Sequence, residues 1–314
     1  MKRKALALVC ALTLGATLLG GCGSAPAAAQ PEAQTAEDAA GATVENEGQD
    51  AEESTPAEEG SKEQDEEAAE EKGTVTVAAT PVPHAEILNE AKALMAAKGW
   101  TLEVVEFTDY VQPNEVVESG EIDANYFQHI NYLNSYNEEK GTHLVNAGEI
   151  HYEPMGIYPG KESDLAAISD GAEIAVPNDT TNEARALLLL QEQGLIKLNP
   201  EAGITATVLD ITENPSNIKI VELAAEQVAR TLPDVAFGVV NGNYALQAGL
   251  STADAVAQET ESSEAIQQYV NVIAVKEGNE SNEGIRALVE VLKSDEIRKF
   301  INDNYQGSVV PYEG

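Results

Sequence analysis

The segment Val176-Pro-Asn-Asp-Thr-Thr-Asn-Glu-Ala-Arg185 reads as a strand end, a polar turn and a helix start rich in capping side chains. A helix N-terminus offers unpaired N–H groups and the positive end of the helix dipole, which suit an anion. Arg185 falls within the first turns, and a guanidinium grips a carboxylate through two parallel hydrogen bonds. In so acidic a chain the same arginine has an ordinary alternative use, pairing with a surface glutamate. Two amides mark further polar points. Asn241 ends the apolar run Val239-Val240 before Gly242-Asn243-Tyr244, and Asn271 interrupts Tyr269-Val-Asn-Val-Ile273. A buried amide is costly unless it finds partners, so each serves either a polar ligand or the local backbone.

Eight of the 15 aromatic residues lie between Phe107 and Tyr158. Tyr110, Phe127 and Tyr152 are placed on loops, where rings can line an apolar slot, and Tyr110 and Phe127 stand near Asp109, Asn125 and His129. Phe107 and Tyr132 read instead as core. The chemistry expected of these groups is recognition of a small zwitterion with an apolar side chain.

Other chemistries are disfavoured. No glycine-rich nucleotide loop, zinc-protease helix or serine-hydrolase elbow occurs, and no nucleophile–base pair is recognisable, so an enzyme is not expected. Four histidines, His84, His129, His143 and His151, match no metal-ligand spacing, so neither a metal nor a cofactor is expected. Cys10 and Cys22 both precede the folded body, which excludes a disulfide framework or a thiolate zinc site within it. A formal net charge of −36 argues against nucleic acid and against a basic membrane patch.

The elements that must position these residues begin at Gly73. Thr74–Ala79 reads as a buried strand and His84–Lys98 as an amphipathic helix, with Pro81 and Pro83 in the turn between them. Strands at 102–107, 122–126, 144–147 and 155–158 follow, with helices at 113–119 and 128–140. A second series has strands at 173–176, 207–209, 218–221 and 235–240, and helices at 181–193 and 226–232. Leu187 to Leu190 makes the first of these helices apolar enough to be packed on more than one side. The strand 269–275 and an amphipathic helix 283–301 close the chain. Such alternation predicts an α/β fold with mostly parallel sheets, in two lobes, with ligand bound outside the carboxyl ends of strands.

The first 72 residues are of another kind. Lys2, Arg3 and Lys4 precede an apolar run, Ala5–Leu19, of signal-peptide length and too short to span a bilayer. It ends in Leu19-Gly20-Gly21-Cys22, which resembles a bacterial lipobox with Cys22 as the lipidated residue. Residues 23–72 lack large apolar side chains, and from Glu32 to Lys72 sixteen acids face two lysines, a net of −14. Such a stretch cannot offset its ordering entropy and is expected to be a disordered, extended tether.

The chain resembles the NlpA/MetQ family of methionine-binding lipoproteins over about residues 73–314. The resemblance lies in Ala79-Thr-Pro-Val-Pro-His-Ala-Glu-Ile-Leu88, Phe107-Thr-Asp-Tyr-Val-Gln-Pro-Asn114, Asp123-Ala-Asn-Tyr-Phe-Gln-His129, Val176–Asn182 with Arg185, Val240-Asn-Gly-Asn-Tyr244 and Tyr269-Val-Asn271. It implies a two-lobed, hinged fold like type II periplasmic binding proteins. Lobe 1 would comprise residues 73–157 plus 268–314, and lobe 2 residues 158–267. It implies that Tyr110, Phe127, His129 and Tyr152 enclose a thioether side chain. Arg185 would bind the α-carboxylate, with Asn182, Asn241 and Asn271 around carboxylate and ammonium. The expected partners are methionine, an ABC transporter permease and, through the lipid anchor, the extracytoplasmic face of the cell membrane. A short methionine-containing peptide, another apolar amino acid, or a role as a surface interaction protein are the alternatives.

Overall fold

The structure, a computed structural model, describes residues 70–260 and 268–314. The signal segment with Cys22, and all but the last three residues of the expected tether, lie outside the described residues. Among the described residues no helix is long and apolar enough to cross a membrane.

Two sheets organise the body. The first strand, Gly73–Ala79, lies parallel to Trp100–Glu106 on one side and to Ala124–His129 on the other. Its inner residues Val75 and Val77 are buried, as the β-branched pattern demands. The strand Val270–Lys276 then runs antiparallel between Ala124–His129 and Leu144–Tyr152, and Val310–Pro311 adds an edge. Helices Glu86–Ala97, Glu283–Leu292 and Asp295–Tyr305 cover this six-stranded sheet through a core that includes Leu88, Met95, Leu288 and Ile301.

The second sheet has five strands. Glu173–Pro177 pairs in parallel with Lys219–Leu223 and with Phe237–Val240, while Gly156–Pro159 and Ala257–Gln258 add antiparallel partners. Helix Thr180–Glu192 packs on it with Leu187, Leu189 and Leu190 all buried, as its apolar run predicts.

Four expectations are corrected. The sheets are mixed rather than mostly parallel. Parallel ladders come from the strand–helix–strand crossovers, whereas the strands entered after each crossing, Gly156–Pro159 and Val270–Lys276, run antiparallel to both of their neighbours. The lobe boundary also shifts. Gly156 and Ile157 pair with Val240 and Val239 in the second sheet, so the first crossing falls at residues 153–155 and not after 157. The return crossing lies between Gln258 and Val270. Finally, the closing helix is two helices. Ser294 stops the first and caps the second, accepting the Ile297 N–H. Residues 207–209, expected as a strand, form a helical turn because Thr207 and Asp210 make a capping box.

Candidate functional site

The first crossing between the sheets leads past a cavity that Glu153 helps to line. Seven of the eight residues singled out for ligand binding line it: Tyr110, Phe127, His129, Asn182, Arg185, Asn241 and Asn271. Tyr152 does not. It is buried behind Arg185, where its hydroxyl donates to Glu259. The cavity also takes in Gln128, Tyr132, Glu153, Gly242 and Asn243.

The aromatic wall forms around Tyr110, on the loop after Trp100–Glu106. Its ring packs 5.7 Å from Phe127, 5.7 Å from Tyr132 and 4.9 Å from Tyr244. Burial pushes its phenol well above the usual range, so it stays protonated and donates to Asn243 Oδ1 at 2.5 Å. Tyr132, read from the sequence as core, packs in a buried cluster with Phe127 and Tyr136 and also borders the cavity; its helix, Ile130–Lys140, starts two residues later than expected. Phe107 packs within the first lobe, as expected.

The later helix start has a definite cause. His129 ends its strand and caps the helix, with Nδ1 accepting the Tyr132 N–H at 3.0 Å. An accepting Nδ1 places the proton on Nε2, which then donates to Asn182 Oδ1 at 3.1 Å. Burial, and secondarily Arg185, lower the His129 pKa to about 3, so the ring is neutral. Asn182 is in turn fixed from below. Asp179 caps helix Thr180–Glu192 and accepts from both the backbone N–H and the side-chain amide of Asn182. Asn182 Oδ1 also accepts from Asn241 Nδ2 at 2.8 Å. His129 belongs to the first sheet, whereas Asn182 and Asn241 belong to the second lobe. This chain, with Tyr110–Asn243 and a bond from Tyr244 to the Thr108 carbonyl, ties the lobes across the cavity.

Arg185, one turn along the same helix, is almost fully buried. Its Nε and Nη2 donate to the two carboxylate oxygens of Glu259, and Nη2 also donates to the Glu153 carbonyl. Its guanidinium lies 4.2 Å from the Tyr269 ring centroid. Burial opposes ionisation of Glu259, but Arg185 and several hydrogen bonds outweigh it and hold the carboxyl below its ordinary range. Of the two uses expected of Arg185, pairing with a glutamate is present, though not with a surface one. One edge is held by an internal, largely buried glutamate. Among the described residues Nη1 has no hydrogen-bond partner.

Below the cavity lies a second polar group that linear spacing could not reveal. The strand register sets Asn271 opposite both His129 and His151. Nε2 of His84 and of His151 stand 3.3 and 2.7 Å from Glu153 Oε1, and His84 Nε2 is 3.2 Å from Asn271 Oδ1. The other ring nitrogens meet hydroxyls, His84 with Thr80 and His151 with Tyr126. With Glu153 ionised, each Nε2–H donates to the acid and each hydroxyl donates to Nδ1. Burial lowers His84 to about 4 and His151 to about 3, so both are neutral, and burial raises the Glu153 carboxyl. These three ligand-type atoms lie within 4.8 Å of one another, the one grouping among the described residues with metal-ligand character. Every one of them is already satisfied by hydrogen bonds. His143 stands apart at the surface beside Glu118.

Two buried amide atoms lining the cavity are not satisfied among the described residues: Asn241 Oδ1 and Asn243 Nδ2. An orphaned buried acceptor and an orphaned buried donor cost free energy unless something polar meets them. The cavity therefore calls for a small molecule with polar groups at one part and apolar surface against the rings.

The sequence model of the NlpA lipoproteins matches residues 75–313. The D-methionine-binding lipoprotein MetQ of Escherichia coli K12 is 43% identical over 215 residues, which cover 68% of this chain and 78% of that protein. A Ruminococcus gnavus protein described as a lipoprotein, solved by crystallography, is 63% identical with a TM-score of 0.76, covering 76% of this chain and 99% of its own. A nutrient-binding protein of Burkholderia cenocepacia, solved bound to methionine, is 42% identical with a TM-score of 0.72, covering 76% and 99%.

Proposed function

The chain belongs to the NlpA lipoprotein family, and from that premise we propose that it is the extracytoplasmic solute-binding component of an ABC importer, capturing methionine and delivering it to the permease. The observation that carries this reading is the lining of this cavity: one arginine whose Nη1 is unpaired among the described residues, one buried carboxylate and three aromatic rings.

The binding physics follows from that lining. A zwitterion entering a closed cleft loses its hydration, so each charge needs a fixed partner. The carboxylate meets the free edge of Arg185, with the amides of Asn182, Asn241 and Asn271 around the polar end. The side chain lies against Tyr110, Phe127 and Tyr132, and removing a methionine-sized chain from water contributes roughly 2–3 kcal/mol. Sulfur against rings adds about 0.3–1.5 kcal/mol per contact. A ligand held between the lobes favours the closed form by its differential affinity for that form, which gives the permease a state to recognise. The lipobox ending at Cys22 anchors the protein to the membrane by lipid, with the acidic segment as spacer.

The test is mass spectrometry of the small molecule that copurifies, followed by calorimetric titration of the stripped protein with methionine, leucine and a glycyl-methionine dipeptide. Methionine should copurify and bind tightest. A protein that binds the dipeptide better, or none of the three, sinks the reading.

A further inference from the structure

We propose that Asn114, Asn125 and Gln128 form a buried amide ring that locks a β-bulge at Phe127, and that Asn114 and Asn125 thereby act as positioning residues that aim the Phe127 ring into the cavity; this rests on the reading of the cavity as a methionine site.

The bulge follows from the strand register. From Ala124 to Tyr126 the strand Ala124–His129 matches Val270–Lys276 residue for residue, Ala124 against Val275 and Tyr126 against Ile273. Gln128 then stands against Val272, so one step on the partner spans two on this strand, and Phe127 is the extra residue. An ordinary strand would set residues 125 and 128 on opposite faces. The inserted residue reverses the alternation and brings both to the same face. Phe127 leaves the ladder, and its ring packs 5.7 Å from Tyr110 and 6.0 Å from Tyr132, at the cavity wall. The parallel partner Gly73–Ala79 matches this strand only as far as Tyr126. Beyond that point the sheet supports the bulged segment from one side alone.

Buried amides supply the missing support. Asn114, on the helix Gln112–Glu118, is fully buried, as is Asn125, and Gln128 is nearly so. Asn114 Oδ1 accepts from Asn125 Nδ2 at 2.8 Å and from Gln128 Nε2 at 2.7 Å. Gln128 Nε2 also donates to Asn125 Oδ1 at 2.8 Å, and Asn114 Nδ2 returns a bond to Gln128 Oε1 at 3.1 Å. Asn125 Nδ2 donates its other hydrogen to the Pro113 carbonyl. Each pair of the three amides is thus bonded, and both amide hydrogens of Asn125 and of Gln128 are used. The ring closes only in the bulged register. A slip to regular alternation would turn Gln128 away and leave buried donors and acceptors unmet, which is costly. A helix behind the strand therefore decides where Phe127 points, although neither Asn114 nor Asn125 lines the cavity.

The experiment is calorimetry on the ligand-stripped protein with methionine and norleucine, in the wild type, Asn114→Leu, Phe127→Ala and the double variant. Asn114→Leu is nearly isosteric and removes the acceptor on which the ring turns. It should weaken methionine roughly tenfold and reduce the preference for methionine over norleucine. In the Phe127→Ala background the same substitution should change methionine affinity by less than about twofold, because the ring it aims is gone. A loss that repeats in full in that background overturns the proposal, as does wild-type methionine affinity in a folded Asn114→Leu. Should that variant not fold, Asn125→Ala, whose sheet neighbours are Ala78 and Ala274, takes its place with the same expectations. A wild type that binds no methionine overturns the methionine reading itself, whereas additive losses in a protein that binds it overturn the lock alone.

Discussion

Glu259 closes on Arg185 through two parallel hydrogen bonds, Nε to Oε1 at 2.7 Å and Nη2 to Oε2 at 2.6 Å. The same carboxylate accepts from the Tyr152 hydroxyl at 2.8 Å and the Met155 N–H at 2.9 Å. Glu259 stands where the chain sets out to return to the first sheet, and Glu153 stands where it left. The two acids that organise charge in the cavity therefore sit at the two crossings between lobes. Tyr152 contributes by steadying Glu259, one step removed from the cavity, and not by enclosing a ligand side chain.

This pairing makes Glu259→Gln informative. Removing one charge of a buried pair costs roughly 3–5 kcal/mol, because Arg185 is left uncompensated. A bound carboxylate restores part of the compensation. The ligand-free variant should therefore melt below the wild type, and saturating methionine should raise its melting temperature by more than it raises the wild type's. An equal or smaller rise in the variant, read by differential scanning calorimetry, would show that the ligand carboxylate does not reach Arg185.

Gly242 is needed for its lack of a side chain. A Cβ there would lie 2.8 Å from Glu153 Cβ and 3.3 Å from the Pro154 carbonyl. Gly242→Ala must push Glu153 toward the cavity or off its imidazole partners. Overpacking of this sort costs about 1–3 kcal/mol of stability. The loss of methionine affinity should be larger than that, since both acceptors of the polar end move. Chemical denaturation and calorimetry on one preparation compare the two losses, and wild-type affinity in the variant would contradict the close packing.

His129 carries a pH signature of definite sign. Its folded pKa of about 3 lies below the ordinary value of 6.5. Between those values the unfolded chain binds the proton and the folded protein does not. The stability from neutral His129 is full above about pH 6.5 and is lost as pH falls toward 3, by up to about 1.4 kcal/mol per pH unit. Glu153 and Asp179, whose carboxyls are raised by burial, act in the opposite sense, so a difference measurement is needed. Asn at position 129 keeps a capping acceptor but cannot titrate. The stability of the wild type relative to His129→Asn should fall between pH 6.5 and 4.5 in denaturant titrations. A constant difference over that interval would mean that His129 is not held neutral.

How much of this was legible beforehand differs by kind of signal. Strand–helix alternation and the apolar run Leu187–Leu190 report local pattern, and both lobes followed from it. The capping segment before Arg185 was equally local. Glu153 and Glu259 were not legible, because a glutamate among 54 acidic residues has no distinguishing neighbour in sequence. Their roles arise from burial and from partners mostly distant in sequence, such as Arg185 and His84, with His151 the one near neighbour of Glu153. Tyr132 belongs to the buried cluster with Phe127 and Tyr136 and borders the cavity as well, a double role that burial pattern alone does not separate. The start of its helix was not legible because its cap is His129, and a histidine has no strong capping preference.

The aromatic wall separates two contributions that one substitution would confound. Tyr110 offers a ring to the cavity and a hydroxyl that crosses to Asn243 in the other lobe. Tyr110→Phe removes only the crossing hydrogen bond, whose net worth is about 0.5–1.5 kcal/mol. It should therefore weaken methionine and its sulfur-free isostere norleucine by the same factor, roughly two- to tenfold. Phe127→Ala instead removes a ring. It should cost about 1–3 kcal/mol in lost apolar contact for both ligands, and methionine should lose more, by the sulfur–aromatic share of about 0.3–1.5 kcal/mol. The preference for methionine over norleucine, measured by competition calorimetry, should survive Tyr110→Phe and shrink in Phe127→Ala. If Phe127→Ala leaves that preference intact, the thioether lies elsewhere in the cavity and the rings serve only to join the lobes.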